Sequence, residues 1–245
     1  MDLQQFTLIE NFIHEEVVKL HENRYKKLKA LTLGDIVYRK NLYMFKAKYL
    51  LTADEVVKSI ISAYISSSEE STFGNLLEQV AIKVSEILEG GKKSSSKAAD
   101  LELDRNGIRY LVNIKSGPNW GNSSQIAKMI DNFKNAQRTL RTSNANINVR
   151  FINGCCYGVD DTPNKLEYEK LCGQRFWEFL TEEADFYLRL IEPLGFQAKE
   201  KSELFNELYT QKVNIFTGEF IKSFVDDGLI NWEKLISAGS AIRRR

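Results

Sequence analysis

The chain has 245 residues, 43% hydrophobic and 27% charged, with 34 basic residues almost balanced by 33 acidic ones. Such a chain buries one large core, or a core with appendages, and is neither disordered nor fibrous. No apolar run approaches the roughly 18 residues of a membrane span, and the acidic, amphipathic opening MDLQQFTLIENFIHEE lacks the basic-then-apolar layout of a signal peptide.

The expectation is therefore a cytoplasmic protein with no membrane partner. Cys155, Cys156 and Cys172 are too few and wrongly spaced for a zinc site or a disulfide framework, and read as small core residues. A net charge of +1 hides an asymmetry. Between Lys92 and Arg150 eleven basic residues face four acidic ones, while residues 160–227 are acidic. A basic middle of this kind suits a surface that meets a polyanion, although charge is uneven in many proteins.

Residues 3–31 carry apolar side chains at Phe6, Ile9, Phe12, Ile13, Val17, Leu20, Leu28 and Leu31, close to helical spacing, and predict one or two helices. Residues 33–51 continue as helix after a break at Gly34. His14 and His21 read as surface residues. Thr52 with Glu55 forms a capping box for a helix through Ser66. A second helix starts in SSSEESTFGN and runs to about Glu89, with Leu77, Val80, Ala81, Val84 and Leu88 in one stripe and Glu78 at its edge. Gly90-Gly91 ends it. The following KKSSSK reads as a flexible basic stretch, either a surface linker or a loop that orders against phosphates.

Residues 98–122 read as two strands joined by Asn106-Gly107, the dipeptide best suited to a two-residue turn with both residues at positive φ. The turn sets the register. Arg105 faces Ile108, Asp104 faces Arg109, Glu102 faces Leu111 and Asp100 faces Asn113. Side chains alternate with period 2, so Asp100, Glu102, Leu111, Asn113 and Lys115 share one face. Ala99, Leu101, Leu103, Val112 and Ile114 share the other, apolar face.

Ser116-Gly117-Pro118-Asn119 must turn. Asn122, Ser123 and Ser124 offer caps for a helix through about Arg141, and residues 146–159 read as a buried strand with a bend at Gly154. Beyond a loop containing Pro163, residues 168–190, 204–216 and 220–224 have helical character. The chain divides into a helical N-terminal region, residues 1–67, and an α/β core with C-terminal helices, residues 68–245. The order of elements gives a mixed sheet flanked by helices.

Two carboxylates, an amide and a lysine on one hairpin face are the groups that metal-dependent phosphodiester hydrolysis needs. Acidic oxygens hold a hard cation such as Mg²⁺, and a nearby lysine orients water or stabilises charge. An ordinary solvated hairpin face shows the same alternation, so the pattern alone leaves both readings open.

Ala99-Asp100 followed by Asn113-Ile114-Lys115 resembles the signature of the PD-(D/E)XK nuclease superfamily, an acid on one strand and acid-x-lysine on the next. The string from Ile114 through Lys115-Ser116-Gly117-Pro118-Asn119 to Trp120 resembles the lysine-Ser-Gly-Pro motif of certain type II restriction endonucleases. Phe73-Gly74-Asn75-Leu76-Leu77-Glu78 and Gly173-Gln174-Arg175-Phe176-Trp177-Glu178 have the look of the same group, so the likeness spans roughly residues 70–190.

The resemblance implies a restriction-endonuclease-like core and Mg²⁺ as cofactor. Asp100 and the main-chain carbonyl of Ile114 would be metal ligands, and Lys115 the catalytic lysine. Asn113 departs from the family's acid. It is a neutral oxygen ligand with Glu102 or Glu78 supplying the missing charge, or an inactivating substitution, or the mark of a dead relative that binds DNA without cutting. The first is favoured.

Around the lysine, Ser116, Asn119, Trp120, Asn122 and Gln125 are candidate DNA contacts, since Asn and Gln pair with adenine edges and Trp120 can wedge or stack. For Ser123 and Ser124 capping is the better reading. Lys92, Lys93 and Lys97 suit phosphates.

The function expected is a homodimeric, Mg²⁺-dependent type II restriction endonuclease that cuts double-stranded DNA at a short palindrome, paired with a cognate DNA methyltransferase. The alternatives are another PD-(D/E)XK nuclease acting in repair or on DNA structure, and a non-catalytic DNA-binding protein.

Overall fold

The computed structural model describes residues 1–94, 99–143 and 145–241. The first element, α1 (Leu3–Ala30), is a single helix that buries Ile9, Ile13 and Val17. Thr32 caps α2 (Leu33–Arg39) in a capping box with Asp35. The helix therefore runs through Gly34, and the break falls instead at the extended Lys40 and Asn41, before α3 (Leu42–Ala47).

Thr52 and Glu55 form the expected capping box. The Glu55 N–H donates to Thr52 Oγ1 at 3.3 Å and the Thr52 N–H to Glu55 Oε2 at 3.0 Å. The helix they start, α4 (Ala53–Glu89), does not stop at Ser66 but runs for 37 residues, so the two helices expected here are one. The serine-rich stretch reads as a break because hydroxyls compete for backbone groups. Here Ser67, Ser71 and Thr72 instead donate to carbonyls four residues back, and the helical backbone bonds survive.

Gly90, at φ 62°, ends α4. Lys92 and Lys93 form no linker. They make β1 (Lys92–Lys93), an edge strand antiparallel to β2 (Leu101–Arg105). Lys97 lies outside the described residues.

From β2 the chain turns at Asn106 (φ 52°) and Gly107 (φ 74°) into β3 (Ile108–Lys115), in the register set by that turn, from Arg105↔Ile108 to Leu101↔Val112. The regular ladder ends there. The Asp100 N–H donates to the Val112 carbonyl at 2.9 Å, so Asp100 is not the direct strand partner of Asn113 that counting gives. Next come α5 (Ser123–Ser143) and β4 (Asn148–Cys155), which continues through Gly154.

Residues 168–190 are not one helix. They form β5 (Glu169–Cys172), α6 (Gln174–Thr181) and α7 (Phe186–Arg189), followed by α8 (Ile191–Leu194). Pairing with β4 outweighs the local helical spacing. The two helices expected near the C-terminus are one, α9 (Ala198–Phe224). A short hairpin follows, β6 (Val225–Asp226) and β7 (Leu229–Ile230), turning at Asp227 and Gly228, both at positive φ. Last is α10 (Trp232–Ser240).

The main sheet has the order β1-β2-β3-β4-β5, with antiparallel pairs up to β3 and parallel pairs beyond. One face carries Leu111, Val149 and Phe151 against Met129, Phe133 and Ala136 of α5. On the other face lie the buried Leu101, Leu103, Val112, Ile114 and Ile152. There Gly74 of α4 approaches Ser116, and the Phe176 ring of α6 fills the place where a Cβ on Gly154 would stand. The hairpin face whose alternation also fits an ordinary solvated surface is packed under α5 at Leu111. Ala99 joins that α5 cluster rather than the Leu101 side, and Glu102 is buried.

The chain forms two compact units, Met1–Val17 with Phe73–Phe196, and Val18–Thr72 with Gln197–Arg245. The first holds the five-stranded sheet. In the second, Ile36, Phe45, Val57 and Ile60 share a core with Phe216, Phe220 and Leu235. Among the described residues no helix is long and apolar enough to cross a membrane.

Because Phe176 is fully buried and cannot swing away, Gly154→Ala overpacks the sheet. The expected cost is about 1–3 kcal/mol, read as a Tm several degrees below the parent; an unchanged Tm would show that the ring moves freely.

Candidate active site

The site forms where β3 outruns β2. Beyond Val112 the strand has no regular partner on that side, and Asp100 supplies one. Its Oδ2 accepts the Ile114 N–H at 2.7 Å and an Asn113 Nδ2 hydrogen at 3.0 Å. Carbonyls alternate along the strand. The Asn113 carbonyl accepts from Asn153 Nδ2 and the Lys115 carbonyl from the Cys156 N–H, both on the β4 side. The Ile114 carbonyl therefore points the opposite way, towards Asp100.

Asn113 Oδ1 is buried and has no hydrogen-bond partner. An acceptor oxygen in that state costs about 1–3 kcal/mol unless something binds it. With the Asp100 carboxylate and the Ile114 carbonyl it makes a set of hard oxygen donors, the kind Mg²⁺ prefers. By this test the residues fit a hard divalent cation. Among the described residues no three acidic, His or Cys side chains converge into a preformed metal cluster.

The two candidate second acids behave differently. Glu102 is spent elsewhere, its Oε1 accepting from Ser94 Oγ at 2.6 Å. Glu78, half-buried on α4, lies in the field of the site. Burial pushes its carboxyl up, the Asp100 charge pushes it further, and Lys115 and Lys93 pull it back. Lys115 is itself partly buried, with Nζ 5.4 Å from the centre of the Trp120 ring.

The candidate DNA contacts separate by environment. Lys92 and Lys93 are exposed on the edge strand, and Asn119 is exposed in the turn. Asn122 and Gln125 cap α5 reciprocally, the Gln125 N–H donating to Asn122 Oδ1 at 3.0 Å and the Asn122 N–H to Gln125 Oε1 at 2.9 Å. Ser116 packs on Gly74 and accepts the Tyr157 N–H at 3.0 Å. Trp120 is half-buried against the α5 cluster and donates from Nε1 to Asn153 Oδ1 at 3.0 Å.

Sequence reasoning missed Asn153 and Lys170. Asn153, fully buried, shows in the sequence as the amide between Phe151-Ile152 and Gly154-Cys155 of β4. Lys170 had no signal, because β5 was read as helix. Its Nζ donates to the Pro118 carbonyl at 2.9 Å and lies 3.3 Å from Asp160 Oδ2, so it ties the turn after Lys115 to the β4–β5 loop. The thiols nearby are inert: burial pushes Cys156 up to about 12, and burial beside Cys172 pushes Cys155 up as well.

A mixed sheet flanked by helices, with oxygen donors and a lysine gathered at the end of its central strand, is a restriction-endonuclease-like fold. Residues 7–202 match the model of the type II restriction endonuclease EcoO109I family, and the chain belongs to that family. No curated protein matches the chain.

A hydrogen bond from Lys165 holds the Asp160 carboxyl down at about 2 against the opposing effect of burial, and bonds from the Thr162 N–H and Lys170 add to it. A depressed folded value means stability that is present above the ordinary Asp range and lost as pH falls towards 2. Asp160→Asn should melt below the parent at neutral pH, and the gap should close in acid; a gap that is the same at both pH values would remove Asp160 from the acid response.

Proposed function

We propose that this chain is a Mg²⁺-dependent endonuclease of the PD-(D/E)XK kind that hydrolyses both strands of double-stranded DNA at a short palindromic sequence. The observation that carries the reading is the convergence at the end of β3: Asp100 on the Ile114 amide, the unpartnered Asn113 Oδ1 beside it, and Lys115 two residues on. Membership of a restriction endonuclease family supports it.

Asp100, Asn113 Oδ1 and the Ile114 carbonyl would hold the cation, with Glu78 rather than Glu102 as the further carboxylate, because Glu78 already shares the field of Asp100 and Lys115. The chemistry a divalent cation supplies in such a site is charge neutralisation on the phosphate and acidification of water. Lys115 presents its ammonium to the charge that develops on the phosphate. Lys92 and Lys93, exposed on β1, contact flanking phosphates and fix register rather than sequence.

A palindrome read by one protein requires two copies related by two-fold symmetry, one site per strand, so the working form is a homodimer. Such an enzyme works beside a methyltransferase that protects the same sequence.

A second reading has its own observation. Asn113 is neutral and donates to Asp100, as it would in a relative that binds DNA without cutting. Phage DNA with the protein and Mg²⁺ separates the two. Discrete fragments are expected, abolished in Asp100→Asn and reduced about 100-fold or more in Lys115→Ala. A smear would remove sequence specificity. Uncut but tightly bound DNA, with cleavage appearing in Asn113→Asp, would establish the binding-only reading. Glu78→Gln should lose cleavage while the metal-free protein melts no lower than the parent, since the substitution relieves repulsion from Asp100.

A further inference from the structure

One sheet face carries three partnered rows across β3 and β4: Leu111 beside Phe151, Asn113 beside Asn153, Lys115 beside Cys155. The middle row is unusual. Asn153 is fully buried, between Ile152 and Gly154 along its strand, and every polar atom of its side chain is engaged. Its Nδ2 donates to the Asn113 carbonyl at 3.2 Å, and its Oδ1 accepts the Trp120 indole N–H at 3.0 Å and faces Cys155 Sγ at 4.0 Å. The partners fix which way the amide points. A flip would set its NH₂ against the indole N–H and its oxygen against a carbonyl.

The other end of this chain of contacts is Lys115, whose Nζ stands over the Trp120 ring. A lysine side chain has many rotamers. Attraction of its cation to an indole face biases that freedom towards one position. The indole cannot easily leave. Swinging out would strip it from the cluster of Met129 and Phe133 and leave the buried Asn153 oxygen with only the weak thiol contact of Cys155.

We propose that Trp120 is the platform of the catalytic lysine and that Asn153 is a positioning residue, locking the indole and the Asn113 main chain so that Lys115 and the oxygen donors keep a fixed spacing. The proposal rests on the reading of Lys115 as catalytic. It places Trp120 inside the site's architecture rather than between bases.

The test uses the full-length protein with lysines reductively ¹³C-dimethylated, which keeps their charge. The Lys115 resonance, identified by its absence in Lys115→Arg, should lie upfield of the other lysines through the ring current of Trp120. In Trp120→Leu that shift should vanish and the single-turnover cleavage rate on unmethylated protein should fall about tenfold. DNA affinity without Mg²⁺ should stay within about twofold. Trp120→Phe, which keeps a ring of core volume but loses the bond to Asn153, should fall between, and it is the variant to read if the leucine protein does not fold. Asn153→Leu should follow Trp120→Phe.

A Lys115 resonance with no upfield shift in the parent, or a cleavage loss with the shift intact, overturns the proposal. So does a loss of DNA affinity that accounts for the whole effect, which would make Trp120 a DNA contact. If Lys115→Met cuts as fast as the parent while the shift is present, the catalytic reading of Lys115 fails and the packing arrangement stands.

Discussion

The site depends on a mismatch in length between two strands. The regular ladder between β2 and β3 ends at Leu101↔Val112, while β4 pairs with β3 as far as Lys115. A central strand covered on both faces cannot leave its edge groups unpaired, because each buried N–H or C=O without a partner costs about 1–3 kcal/mol. Asp100 meets the demand of the Ile114 N–H with a carboxylate instead of a carbonyl. Had β2 begun a few residues earlier, a backbone carbonyl would have taken that hydrogen. The polar site is what a shortened strand requires.

The same shortening explains what Asn113 does beside Asp100. An acid there would stand against Asp100, and Glu78 already feels that charge. An amide replaces the repulsion with a hydrogen bond of 3.0 Å to Asp100 and still leaves one oxygen facing inward without a partner. The amide thus brings no charge of its own, while the Glu78 carboxylate, from α4 and far away in sequence, shares the field of Asp100 and Lys115.

That distance marks the limit of what the sequence shows. The Asn106-Gly107 turn carries its register locally, because two residues at positive φ permit only one short hairpin, and every pair from Arg105↔Ile108 to Leu101↔Val112 follows by counting. Thr52 with Glu55 is equally local, as are the glycine at the end of α4 and the fold class built from such elements. Reading failed where a tertiary partner outweighed the local signal. Glu169–Cys172 becomes a strand because β4 offers it an edge, whereas the serines of α4 stay helical for a local reason, bonding back to carbonyls of their own helix. The β6–β7 hairpin is absent from the sequence reading, because strands of two residues each are too short for alternation to show. Asn153 belongs with Glu169–Cys172, since nothing near it in sequence says what it faces, while Glu78 is marked in the sequence only by its place at the edge of an apolar stripe.

Side chains two residues apart on a strand are separated by roughly 6.5 Å, so a few steps carry one face of a sheet from dry core to rim. Here that gradient separates packing from chemistry without a change of element. Leu111 and Phe151 lie under α5, where a charge would be prohibitive. Asn113 and Asn153 follow, polar but uncharged, at a depth where an amide survives only if bonded. Lys115 comes last, partly buried, at the rim where its cation can stay solvated. Its neighbour Cys155 stays a neutral thiol, because burial pushes its ionisation up. Moving the lysine one residue along β3 would turn it to the opposite face, among Val112 and Ile114. The hairpin register, set at Asn106-Gly107, therefore decides both which face packs and where on that face a charge can stand.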